Sequence, residues 1–228
     1  MKVDRRLVLG FIWFLKMQYK IYTEPFTYIV IEDLFGSYLN SEILKEAQAL
    51  IPIMKPGKVS LGNTNDVSAD LKSNSNIWLF DFYKKYPNRP NVARLFERGL
   101  WNDNVKNMFK STNDSLFRSI LYTDNSQLLL SRYDKGDHYN WHRDYNDTLT
   151  MNYMFASEPT TFKGGDFVMG SWDEKVEKVK IPFKNNSLVI FPSRIWHMVT
   201  PVTETNGKPS DARFTFQYWT KLKHLTDA

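Results

Sequence analysis

The sequence predicts a mainly β domain of jelly-roll type with flanking helices, and three observations predict it. From Gln127 onward, eight short apolar runs alternate with turn residues, a strand count that suits a jelly roll. Aromatic residues make up 15% of the chain, which favours strands and ring-lined pockets over a plain helical bundle. The 228 residues also fall within the range that one β barrel or sandwich accommodates. The expectation is one domain over 1–228, with an N-terminal strand and supporting helices over 1–125 and the jelly-roll core over 126–220.

Taken in order, the start pairs basic residues before Leu7 with an apolar stretch to Leu15, as a secretory signal does. No small-x-small cleavage site follows, and the stretch is too short to cross a bilayer. The expected location is therefore cytoplasmic and away from membranes, with translation from Met17 as an alternative start. Phe26 to Ile31 reads as a first strand. A helix follows, capped by Asn40 or Ser41, with Ile43, Leu44, Ala47, Leu50 and Ile51 at helical spacing until Pro52. Gly57 to Asn76, rich in Ser, Asn, Asp and Gly, reads as one long lid-like loop. Asn91 to Lys110 reads as a second helical region. The eight strands are 127–133, 139–142, 148–155, 166–169, 176–181, 187–191, 194–199 and 212–218. Turns at Lys163-Gly164-Gly165-Asp166, Lys184-Asn185-Asn186 and Asn206-Gly207-Lys208-Pro209 separate them.

Composition removes several classes of function. Hydrophobic residues at 42% and charged residues at 24% exclude disordered, collagen-like and coiled-coil chains. With no cysteine there is no disulfide framework, no thiolate nucleophile and no cysteine-ligated metal, so any metal must use His and carboxylate. The net charge of +5 is scattered rather than gathered into a patch interleaved with rings, which argues against nucleic acid as partner. Only His138, His142, His197 and His224 are available as imidazole ligands.

His142 and Asp144 form a His-x-Asp pair, and on a strand residues two apart point to one face. With His197 they make the two-His, one-carboxylate set of non-haem Fe(II) oxygenases, which leaves coordination positions open. Alone, a His-x-Asp is more often a strand-end His bonded to a neighbouring carboxylate. Arg213 strengthens the metal reading. A buried Arg on the last strand calls for a bidentate anion, which a dicarboxylate such as 2-oxoglutarate supplies, and Thr215 shares its face with a hydroxyl. Ala212, Phe214 and Phe216 mark the opposite face as apolar.

The order Arg132-Tyr-Asp-Lys-Gly-Asp-His-Tyr-Asn-Trp-His-Arg-Asp144, Gly164-Gly-Asp166, Leu188-Val-Ile-Phe-Pro-Ser193, His197-x-x-x-Pro201-Val and Arg213 resembles the 2-oxoglutarate and Fe(II)-dependent oxygenases, and within them the prolyl 4-hydroxylase-like branch of bacterial and phage type. The resemblance covers about Gln127 to Trp219. It implies a double-stranded β-helix, with His142, Asp144 and His197 holding Fe(II), and Tyr133, Arg213 and Thr215 binding 2-oxoglutarate. It also implies O₂ as oxidant, ascorbate as a stimulant and a peptidyl proline as substrate; a small molecule or an alkylated nucleobase stays open. Asp144 separates the chain from halogenating relatives, which need a small residue there. The insertion Glu204 to Asp211 lengthens the usual gap from His197 to Arg213, and many prolyl hydroxylases carry Lys in place of Arg213. The competing reading is a non-catalytic jelly-roll binding module with a structural metal, but three ligands beside an anion-binding Arg make an open set. Gly164-Gly165 reads as a hairpin turn only, His138 as an exposed loop residue, and Trp141, Trp196 and Trp219 as core packing or, for one of them, substrate stacking.

Overall fold

The computed structural model describes residues 18–57, 71–89, 91–144 and 147–222. The basic-apolar start, the 58–70 part of the expected loop and His224 lie outside the described residues. The strands are β1 (Gln18–Tyr22), β2 (Tyr28–Glu32), β3 (Lys55–Pro56), β4 (Lys72–Ser73), β5 (Ser75–Trp78), β6 (Thr123–Tyr133), β7 (His138–His142), β8 (Leu149–Phe155), β9 (Lys163–Gly164), β10 (Phe167–Met169), β11 (Val179–Ile181), β12 (Ser187–Pro192), β13 (His197–Val199), β14 (Val202–Glu204) and β15 (Arg213–Leu222). The helices are α1 (Ser37–Leu50), α2 (Leu79–Lys85), α3 (Val92–Leu100), α4 (Asp103–Ser111) and α5 (Ser115–Arg118).

These strands form a jelly roll of two antiparallel sheets. The major sheet runs β1-β2-β12-β8-β15-β6-β5-β3 and the minor sheet β11-β10-β13-β7-β4, with β9 and β14 pairing separately. Every residue of β8 and β12 is buried, as expected of central strands, including the polar Thr150, Asn152 and Ser187. One aromatic-rich core lies between the major sheet and the helices and joins Phe35, Ile43, Phe96, Phe109, Phe155, Phe214 and Phe216. A second lies between the sheets and joins Tyr133, Met154, Phe167, Phe191 and Val199.

All eight expected strands are present, and several boundaries differ for local reasons. The expected single helix over 91–110 is two helices, because Asn102 accepts from the Val105 N–H and donates to the Gly99 carbonyl, ending α3 and starting α4 at one residue. α3 keeps its own cap, with Asn91 accepting from Arg94 N–H. α1 begins three residues before the expected cap, at Ser37, and Asn40 instead accepts the Tyr153 hydroxyl at 2.7 Å. Lys72–Ser73 and Ser75–Asn76 of the expected loop are strand, broken at Asn74, since β4 pairs with β7 and β5 with β6. No helix among the described residues is long and apolar enough to cross a membrane.

Candidate active site

The site lies between the two sheets. β7 and β13 are antiparallel neighbours with His142 opposite His197, and a register irregularity separates that pair from the next, Tyr139 opposite Val199. This bulge turns both Tyr139 and His142 inward, where their rings stack at 3.4 Å between centroids. Asp144 follows the end of β7, its backbone N–H bonded to the Ser193 carbonyl at 2.9 Å. One ligand atom each from His142, Asp144 and His197 lie within 4.8 Å of one another, so the three side chains can hold one metal ion.

Each donor is fixed from behind. The His142 and His197 Nδ1 atoms sit 2.9 and 2.8 Å from the carbonyls of Asn140 and Ile195. A carbonyl only accepts, so Nδ1 carries the proton and the Nε2 lone pair is free for a metal. Burial and, next, the neighbouring His197 hold the His142 imidazole well below its ordinary pKa. Burial lowers that of His197 against the opposing pull of Asp144. Both rings are therefore neutral, the state that coordinates. Asp144 Oδ2 accepts from the Thr150 hydroxyl at 2.7 Å and from the Trp219 indole at 2.8 Å. Thr150 donates within a small cluster that includes Ser193, 2.9 Å away.

At the other end, Arg213 of β15 is opposite Tyr133 of β6, and both are buried. The guanidinium carbon lies 4.9 Å from the Tyr133 ring centre. Its Nε donates to the Gly165 carbonyl at 2.7 Å and its Nη1 donates to the Thr215 hydroxyl. Among the described residues no carboxylate pairs with it. Burial depresses its pKa to about 10, which still leaves it charged at neutral pH. The buried Tyr133 hydroxyl makes no well-formed hydrogen bond, although the Asn74 amide lies near enough to act on it, and burial keeps it protonated by raising its pKa. A cation and a phenolic donor, both desolvated and both short of an acceptor, fit the distal carboxylate of a dicarboxylic acid.

The structure thus brings together all six residues singled out in the sequence, and it adds three. Trp219, read above as packing or stacking, is a hydrogen-bond donor to Asp144; its place on the Arg213–Thr215 face of the strand was the available signal. For Thr150 the available signal was its two-residue spacing from Asn152, which sets two polar side chains on one face of an otherwise apolar β8. Gly165 does more than turn the chain. It sits at φ 68°, and a Cβ there would come within 2.6 Å of Arg213 Cδ, so its bare backbone lets the guanidinium reach the carbonyl. Trp196 lies between two cations, Arg143 and Lys175, at 4.2 and 4.3 Å from its ring centre.

A jelly roll with a two-His, one-carboxylate cluster at one end and a buried guanidinium at the other has the arrangement a non-haem metal oxygenase needs. Residues 128–221 match the model of the 2OG-Fe(II) oxygenase superfamily. Among curated proteins, a PKHD-type hydroxylase of Gloeothece citriformis is 35% identical over 86 residues, and one of Shewanella sp. is 33% identical over 84. These stretches cover 34% and 33% of this chain and 37% and 36% of those proteins, so the match spans about a third of each relative's length. Among solved structures, a prolyl 4-hydroxylase of Pseudomonas putida superposes with TM-score 0.60 at 14% identity, covering 86% of this chain and 93% of that one. A prolyl hydroxylase of Trichoplax adhaerens, solved with a hypoxia inducible factor peptide fragment, gives 0.56 at 16% identity, covering 86% and 83%. The likeness to these two is one of fold. The family match covers less than half of the chain and ties 128–221, the segment that carries the site, to the sequence pattern of the 2OG-Fe(II) oxygenases.

Proposed function

We propose that the protein is a 2-oxoglutarate-dependent dioxygenase that hydroxylates an unactivated C–H bond, with a peptidyl proline as the favoured substrate. The observation that carries the reading is β15 itself, which presents Arg213 and Thr215 at one end of the cavity and Trp219, bonded to Asp144, at the other. Bound Fe(II) would supply O₂ activation, one oxygen atom leaving in succinate as 2-oxoglutarate loses CO₂ and the other entering the substrate C–H bond.

The chain's own residues do the rest. His142, Asp144 and His197 offer three donors on one side and leave the other side open. Thr150 and Trp219 occupy Asp144 Oδ2 and fix the carboxylate's rotation. Arg213 and the Tyr133 hydroxyl take the distal carboxylate of 2-oxoglutarate, with Thr215 and Gly165 aiming the guanidinium. The two buried walls exclude water, which strengthens each of these contacts. The peptide reading is supported by the peptide bound to the Trichoplax neighbour and by the hydroxylase relatives. In this reading the protein acts in the cytoplasm on a protein or peptide, and one oxygenase domain accounts for residues 1–228.

Anaerobic titration with Fe(II) and then 2-oxoglutarate is expected to give a weak metal-to-ligand charge-transfer band. A succinate-release screen of prolyl peptides, free amino acids and methylated oligonucleotides, with ascorbate present, then tests the substrate. A 16 Da gain on proline supports the reading. Stimulation only by methylated nucleic acid, with loss of the methyl group, overturns the prolyl assignment.

A further inference from the structure

Lys72 is the second buried cation of the cavity, and nothing in the oxygenase reading uses it. It stands on β4, opposite Tyr139 of β7, and is 6% exposed. Its Nζ lies 4.6 Å over the Tyr139 ring, whose other neighbour in the stack is the His142 imidazole. Its charge is felt at both Asp144 and His142. Among the described residues it has no carboxylate at ion-pair distance. Burial lowers its pKa to about 8, so at neutral pH it remains mostly an ammonium. Two residues on, Asn74 is equally buried; its amide lies near enough to the Tyr133 hydroxyl to act on it, and neither its oxygen nor its nitrogen makes a well-formed hydrogen bond. Gly57 closes over the pair. Its N–H binds the Asn74 carbonyl at 2.8 Å, and a Cβ there would fall 2.0 Å from Asn74 Oδ1 and 3.0 Å from Lys72 Cε.

A buried charge without a counter-ion and a buried amide without a full set of hydrogen bonds are costly unless a ligand completes them. Charge balance says what kind of ligand. A divalent metal, the Asp144 carboxylate, a doubly negative 2-oxoglutarate and the Arg213 guanidinium are together neutral, which leaves the Lys72 charge in surplus. Both ends of the co-substrate are already provided for, by the metal and by Arg213 with Tyr133. We propose that Lys72 and Asn74 form a subsite for a carboxylate of the substrate that is hydroxylated. This rests on the oxygenase reading and narrows it: the oxidised C–H bond belongs to a molecule with a nearby carboxylate, either a free acid or a peptide ending or side chain.

The test uses the full chain loaded with redox-inert Zn(II) and 2-oxoglutarate, with binding measured calorimetrically. The probes are L-proline against prolinamide, and a prolyl tripeptide with a free C-terminus, with a C-terminal amide, and with an amide plus a neighbouring Glu. At least one carboxylate probe is expected to bind ten-fold or more tighter than its amide. Lys72→Met should erase that preference while 2-oxoglutarate affinity stays within two-fold. L-proline alone showing the preference identifies a free acid, and the tripeptides showing it identify a peptide carboxylate. No carboxylate preference in any pair overturns the subsite. So does equal loss of 2-oxoglutarate and probe binding in Lys72→Met, which would make the lysine structural or part of the co-substrate site. Lys72→Gln repeats the measurement if the Met variant melts early. A wild-type protein that fails to take up Zn(II) and 2-oxoglutarate sinks the oxygenase reading instead.

Discussion

The two faces of β15 differ more than any two elements of the molecule. One face carries Phe214, Phe216 and Tyr218, buried against the helices in the larger aromatic core. The other carries Arg213, Thr215, Gln217 and Trp219, which are polar, largely buried, and tied respectively to Gly165, Arg213, Ser131 and Asp144. The two-residue period of a strand puts both sets on one ten-residue segment. The difference teaches that rigidity and chemistry are separable here. The aromatic face holds the strand in place, and the polar face uses that rigidity to orient Arg213 and Asp144.

Substitutions on the two faces should therefore separate stability from binding. The largest effect is expected at the proposed ligands: His142→Ala, Asp144→Ala or His197→Ala should each abolish substrate-independent 2-oxoglutarate turnover while the metal-free protein melts as before, because these side chains answer to the metal before they answer to the core. Full turnover in any one variant would end the assignment of that residue. On the aromatic face, Phe216→Ala should cost about 3–5 kcal/mol in denaturant unfolding, yet leave the 2-oxoglutarate affinity of the folded fraction unchanged. Across the same strand the reverse holds for Arg213→Lys. Losing one charge-assisted bond of roughly 1.5–3 kcal/mol should weaken 2-oxoglutarate binding by roughly 10- to 100-fold with metal affinity intact. If Arg213→Ala binds 2-oxoglutarate normally, another cation does the pairing, with buried Lys72 as the candidate rather than the exposed Arg194.

Smaller effects sharpen the contrast. The pKa of Lys72 is lowered from 10.5 to about 8, so between those values the unfolded chain binds more protons than the folded one. Metal-free wild type should accordingly gain up to about 3 kcal/mol relative to Lys72→Met as pH rises through that window, measured by paired urea melts. A flat difference would mean that the ammonium is solvated. The smallest change is Trp219→Phe, which keeps the ring beside Trp78 and removes only the N–H to Asp144. It should reduce metal affinity by roughly 10-fold, read by competition with a chelator, at little cost in melting temperature.

The sequence by itself determined the jelly-roll strands, because each alternates or runs apolar between Gly, Asn and Pro turns, and local pattern alone carries that information. It also singled out His142, Asp144 and His197, and Arg213 with Thr215, as candidates, because a His-x-Asp period and an isolated Arg among alternating aromatics are one-dimensional signals; Tyr133 entered through the family resemblance. Only the tertiary structure decided which residues serve them. Thr150 lies in a strand whose Thr150–Asn152 alternation names no partner, Gly165 in an ordinary turn, and Lys72 and Asn74 in a polar stretch that reads as loop. Their partners are Asp144, Arg213 and Tyr139 on other strands, which only the pairing of β4 with β7 and of β8 with β15, and the packing of the two sheets, bring within reach. The split of 91–110 into two helices has the same character, since Asn102 is a fair helix surface residue until its side chain closes on Gly99 and Val105. Periodicity records which face of an element is buried, and contacts between elements far apart in the chain leave no periodic trace.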